Sequence, residues 1–164
     1  MELSCRILFS RLSERFPVLA QNYDHPEQKI RESEFYFSRN VLRKKCIYIL
    51  DASAGELDPA GFPAVYCGCV PKTKKGTWIA LEAEAGQIIY ALSSIFRLYE
   101  KWEEGLKQAV LSRESVERLL ELAETELKRP VFFLNRYFVI KASAGTETLP
   151  KTRSKRSTSS RKSS

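Results

Sequence analysis

A chain of 164 residues with 43% apolar side chains is sized for one ordinary domain or a little more, which excludes a multidomain enzyme and a wholly disordered chain. Its formal charge is +7, but Lys151, Arg153, Lys155, Arg156, Arg161 and Lys162 supply six of the 27 basic residues within a stretch that holds no acid. The remainder carries 21 basic against 20 acidic residues, so a basic, nucleic-acid-binding body is excluded and the high pI belongs to the tail.

From Leu3 to Phe16 the apolar positions Leu3, Ile7, Leu8, Leu12 and Phe16 lie on one helical face, with Ser4 placed to cap it. Pro17 and the charged run to Glu34 then read mostly as loop, with a short strand at Phe35 to Phe37. Between Lys44 and Leu81 the period changes. Cys46–Leu50 (CIYIL), Ala64–Val70 (AVYCGCV) and Trp78–Leu81 (WIAL) are apolar and rich in β-branched or aromatic residues, and they predict strands. Their near-continuous apolarity points to a small parallel or mixed sheet covered on both faces, with helices packed on it. The loops between them, Ala52–Pro63 and Pro71–Thr77, carry Gly, Pro and Asp.

Ile88, Leu92, Ile95, Tyr99, Trp102, Leu106 and Ala109 follow an unbroken four-three spacing, the seam of a coiled-coil-like helix from about Ala85 to Leu111. At 1.5 Å per residue it is about 40 Å long. These seven residues are the expected homodimer interface, with Tyr99 and Trp102 as large anchors. A further helix starts at Ser115, with Val116, Leu119, Leu120, Ala123 and Leu127 on its face, and Pro130 stops it. Val131–Leu134 and Tyr137–Ser143 read as a hairpin turning at Asn135 and Arg136, expected to be the least stable ordered segment. Beyond Gly145 the composition collapses into Ser, Thr, Lys and Arg, and a disordered tail is expected.

Chemistry-bearing motifs are sparse. Cys67 and Cys69 flank Gly68 in a strand, which puts both thiols on one side, but the single histidine, His25, lies in a loop and no metal site is expected. The turn KTKKGT (Lys72–Thr77) lacks the first glycine and spacing of a phosphate-binding loop and reads as a solvated turn. With no nucleophile elbow, dinucleotide fingerprint or paired histidines, neither an enzyme nor a bound cofactor is expected.

The order of parts is similar to that of one known family. A small α/β unit, the run ALSSIFRLYEKWEEGLKQAV (Ala91–Val110) and then SVERLLELAETELKRPVFFLNRYFVIKASAG (Ser115–Gly145) resemble the amino-terminal regulatory region of bacterial transcription regulators of the purine-catabolism and sugar-diacid type. In that family a helix like Ser115–Lys128 leads through a proline into the opening strands of a PAS- or GAF-like sensory unit. Arg129, Pro130, Asn135 and Ser143 stand where that pattern places them, although the family more often has Asn and Asp at the positions of Arg129 and Asn135.

The resemblance implies an α+β chain in four parts: a small α/β input domain over 1–84, a connecting and dimerising helix over 85–112, the start of a truncated sensory unit over 113–145, and a basic Ser-rich tail over 146–164. It implies a non-enzymatic sensor of a transcription regulator, truncated before the helix-turn-helix. Such a chain takes an unidentified small-molecule effector and does not by itself bind DNA sequence-specifically. A protein-interaction scaffold, dimerising through the long helix and offering its tail to acidic partners, is the other reading. No signal peptide and no apolar run of about 20 residues is present, so a cytoplasmic protein without a membrane partner is expected.

Overall fold

The computed structural model describes residues 1–37, 41–51 and 61–146. The chain is a mixed α+β protein that divides into two compact units, Met1–Lys101 and Trp102–Ser164. In the first, β1 (Leu3–Ser4) leads into α1 (Cys5–Ser13), followed by β2 (Val18–Tyr23), β3 (Lys29–Ile30), β4 (Glu32–Phe35), β5 (Cys46–Leu50), β6 (Ala64–Cys67) and β7 (Thr77–Leu81). A 27-residue helix, α2 (Ala85–Leu111), follows. Ser4 caps α1 as its position predicts, its hydroxyl accepting from the Ile7 amide at 3.4 Å.

Five strands form one sheet in the order β2-β7-β6-β5-β4. β4, β5, β6 and β7 run parallel in chain order, and β2 pairs antiparallel along β7. Every residue of β5, β6 and β7 is buried, as their unbroken apolarity predicts for strands covered on both faces. Alternation splits them into two faces. One carries Cys46, Tyr48, Leu50, Ala64, Tyr66, Trp78 and Ala80, against which Tyr36, Leu42, Phe62 and Cys69 pack. Those four come from the three segments that join β4 to β5, β5 to β6 and β6 to β7. All three parallel connections therefore contribute to the same face, as connections of one hand must when neighbouring strands follow in chain order. Edge-to-face rings lock that face: Tyr48 sits 5.9 Å from Tyr36 and 6.1 Å from Phe62.

The other face carries Ile47, Ile49, Val65, Ile79 and Leu81, all fully buried. Here α1 lies against β7. The Arg11 guanidinium on α1 donates to the Tyr99 hydroxyl on α2 at 3.1 Å, which joins the two helices; Leu8 and Leu12 on α1 and Ile88, Leu92 and Ile95 on α2 are fully buried. The charged edge strand β4 is held by Arg43, paired with Glu32 at 3.3 Å and Glu34 at 3.0 Å, a device that discourages strand addition.

The second unit takes in the end of α2, then α3 (Val116–Leu127) and the antiparallel hairpin β8 (Val131–Leu134) and β9 (Ile140–Ala144). Ser115 caps α3 by accepting from the Arg118 amide at 3.3 Å, and Lys128 closes it in the left-handed region two residues before Pro130. Both hairpin strands pack on α3, and Gly145 approaches so closely that a Cβ there would meet Glu124 Cγ at 2.6 Å. The core is thin: Ala109 and Leu120 are its buried apolar residues among those described.

Three expectations change. The stretch read as loop after Pro17 holds β2, β3 and β4, and of the short strand expected at Phe35 to Phe37 only Phe35 is in a strand, as the last residue of β4. The first unit also takes in the first half of α2, which is part of its core. The basic tail and most of the loop Ala52–Pro63 lie outside the described residues. Unequal cores predict unequal mutational costs: Ile49→Ala is expected to lose about 2–5 kcal/mol, whereas Ile140→Ala, at a 56% exposed position, loses under about 1 kcal/mol. Urea unfolding of the two variants measures both, and similar losses would contradict this division.

Candidate functional site: a cationic cleft at the amino edge of the sheet

Carried back from the first paired residues, by one row for β4–β5 and by three rows for β5–β6 and β6–β7, the parallel register brings Arg31 level with Lys45, Lys45 with Gly61 and Gly61 with Lys75. Residues distant in sequence thus meet at the amino edge of four parallel strands. There a cleft of about 460 Å³ is lined by Gln28, Lys29, Lys44, Lys45, Gly61 and Phe62. Three lysines, a glutamine and an aromatic residue are among its lining, and no carboxylate is among the described lining residues, although Glu2 pairs with Lys45.

Each wall is fixed by the core beneath it. Tyr48, buried in the sheet, accepts from the Arg43 amide at 2.6 Å and so pins the 41–45 segment. Lys45 has φ +64°, an uncommon conformation for a side-chain-bearing residue, and its carbonyl accepts from the Arg31 amide at 2.7 Å. That turn sets Lys44 and Lys45 at the mouth. Lys45 Nζ pairs with Glu2 at 2.6 Å, which holds the Glu2 carboxyl below its ordinary range. Lys29 and Lys44 make no ion pair among the described residues.

The KTKKGT turn is tied to the same edge. Trp78 Nε1 donates to the Lys75 carbonyl at 3.2 Å, the Asn22 amide donates to the Gly76 carbonyl, and Asp24 accepts from the Gly76 N–H. Gly76 and Gly61 both have positive φ, and a Cβ on Gly76 would lie 3.8 Å from the Gly61 Cα. The lysine-rich turn read as solvated therefore closes one side of the amino edge, beside the cleft. Two other clefts differ in chemistry. One, of about 550 Å³, is lined by Asp24, His25, Pro26, Glu27 and Gln28; the other, of about 590 Å³, includes Arg15, Phe16, Glu84 and Tyr90. Both contain carboxylates, so neither offers the same field to an anion.

Open α/β sheets usually bind ligands at the carboxyl ends of their strands, where helix N-termini gather. Among the described residues only β7 leads into a helix, so that device is missing between the other parallel strands. The concentrated charge lies instead at the amino edge.

The seam residues expected at a dimer interface are placed mostly inside one chain. Ile88, Leu92 and Ile95 are fully buried, Tyr99 and Ala109 nearly so, and Trp102 and Leu106 are partly exposed. Tyr99 accepts from Arg11, and Trp102 Nε1 donates to the Leu122 carbonyl at 2.8 Å. A second copy seated on this stripe requires that side chains already covered by their own chain be uncovered.

The cysteine geometry also differs from expectation. β6 ends at Cys67, and Gly68 turns the chain at φ +68°, so Cys69 packs against the Tyr48 cluster while Cys67 does not belong to it. Among the described residues no group of three metal-ligating side chains forms. Burial raises the Cys5 and Cys67 thiols to about 12 and Cys46 to about 11, which leaves them protonated and unreactive at neutral pH.

Compared with protein-family models, with curated proteins and with solved structures, the chain matches none.

The thiols predict a pH dependence. Unfolded cysteines ionise near 9, whereas the folded chain keeps these protons to about 11 or 12, so the unfolded state binds fewer protons in that window. Stability is expected to hold through neutral pH and to fall as pH rises above about 9. The Cys5→Ala/Cys67→Ala variant should show a shallower fall in urea unfolding between neutral and alkaline buffer. An unchanged slope would contradict the assignment.

Proposed function

We propose that the chain is a non-enzymatic sensory module of a transcription regulator, whose first unit takes a small multivalent anion as its effector. The observation that carries this reading is the amino-edge cleft, lined by Lys29, Lys44, Lys45 and Phe62 with no carboxylate among the described lining residues. Amines at that density favour phosphates or polycarboxylates, and the ring gives an apolar part of the ligand a surface to lie on. The cleft's volume suits a small molecule.

A route from ligand to output is also supported. Lys44, Lys45 and Phe62 adjoin strands of the sheet on which α1 lies against β7, Arg11 of α1 donates to Tyr99 of α2, and α2 supplies buried residues to both units. A ligand that draws the lysines together works against the same core that holds Ile88, Leu92 and Ile95. A dimer through the Ile88 to Ala109 stripe, which the sensory and the scaffold readings share, calls for those residues to be exposed, so the anion-binding reading rests on the cleft and not on that dimer.

Thermal unfolding with pyrophosphate or citrate tests the proposal. At a hundredfold excess over the dissociation constant, binding to the folded state alone contributes about 2.7 kcal/mol, enough to raise the melting temperature by several degrees. The Lys29→Gln/Lys44→Gln variant should lose that rise. No shift with either anion, or an equal shift in the variant, would contradict the reading.

A further inference from the structure

From Phe132 to Ile140 the β8–β9 hairpin exposes seven large apolar side chains, and Phe138 at its tip is 86% exposed. That concentration departs from the scattered apolar residues of an ordinary soluble surface and is of the kind found at interaction sites. The stretch from Thr146 to Ser164 does not suit it, because it holds a single large apolar residue, Leu149. A second hairpin suits it poorly as well. Lys128, Arg129, Arg136 and Lys141 are the only charges between Lys128 and Thr146, so two copies edge to edge would bring like charges together.

The tip has a further property. Asn135 N–H donates to the Val139 carbonyl at 3.0 Å and the Phe138 amide donates to the Asn135 carbonyl at 3.0 Å. The Tyr137 and Val139 amides both donate to Asn135 Oδ1, at 2.9 and 3.0 Å. The loop thus satisfies four of its backbone donors internally and can leave water without stranding them. Phe138 is held at φ +59°, an unusual conformation for a bulky residue, while its ring stands in solvent. The Arg136 guanidinium lies 4.7 Å from the centre of the Tyr137 ring, a cation beside an aromatic, the pairing favoured where hydrocarbon meets charged headgroups.

We propose that this hairpin tip is a peripheral anchor for a bilayer surface rich in anionic lipid. Tyr137, Phe138 and Val139 enter the boundary between headgroups and acyl chains, and Arg136, Lys141, Lys128 and Arg129 meet the negative headgroups. The contact is interfacial, since no described helix is long and apolar enough to cross a membrane. The six basic residues from Lys151 to Lys162 follow the hairpin in sequence and add to the same attraction.

Cosedimentation of the full chain with vesicles tests this directly, comparing pure phosphatidylcholine with vesicles containing roughly 30% phosphatidylserine. Binding is expected only to the anionic vesicles and should weaken as salt rises. Phe138→Asp is expected to lower the partition coefficient at least about tenfold while leaving the melting temperature unchanged, because it removes the most exposed inserted ring. Phe138→Trp should bind as wild type does, with emission that shifts to the blue and is quenched by brominated acyl chains. Equal binding by wild type and Phe138→Asp would assign the attraction to the tail alone and overturn the proposal. So would failure to sediment with anionic vesicles, or self-association or capture of an acidic protein through the tip with no lipid binding.

Discussion

Burial of β5, β6 and β7 on both faces is the constraint from which most of the first unit follows. A strand buried on both sides must pair all its backbone groups within the sheet, and parallel pairing forces each connection across a face. The three connections contribute to one face and close it with Tyr36, Leu42, Phe62 and Cys69. The segments that enter the strands are thereby fixed in place: Tyr48 grips the one before β5, and Trp78 grips the one before β7. Lysines that would be solvated on free loops are held at one edge.

Elements with a strong apolar period or an unbroken apolar run were legible in the sequence, and the polar edge strands were not. α2 begins and ends where its periodicity places it, and Cys46–Leu50 is a strand as read, because burial demands an unambiguous pattern. β2 reads VLAQNY and β4 reads ESEF, edge strands whose polar residues face solvent or, like Glu32 and Glu34, pair with Arg43. Nothing in their composition separates them from loop; the sheet they join makes them strands. Likewise Gly68 looked like one more residue in an apolar run, but its positive φ ends the alternation on which the Cys67 and Cys69 reading rested.

The candidate site was hidden for a different reason. Lys29, Lys44 and Gly61 are each about fifteen residues apart, and only the parallel register brings them to one edge. No local motif encodes that convergence, whereas the compact KTKKGT run drew attention as an isolated turn. The heptad stripe shows the converse: its spacing identifies an apolar seam without saying what fills the seam. Here much of it is buried by the chain itself: Ile88, Leu92 and Ile95 are fully buried, and Tyr99 accepts from Arg11 on α1. In the second unit the same sequence logic leaves aromatic residues on a two-stranded hairpin too small to bury them.

The direct test of the account is an amide chemical-shift titration of the full chain with pyrophosphate. Shifts concentrated at Lys29, Lys44, Lys45, Gly61 and Phe62, with smaller ones passing into β5 and the first turns of α2, are the predicted result. Shifts confined to the segment from Lys151 to Lys162, or spread evenly over every surface lysine, would show that the anion meets only loose charge and would contradict a site built by the sheet.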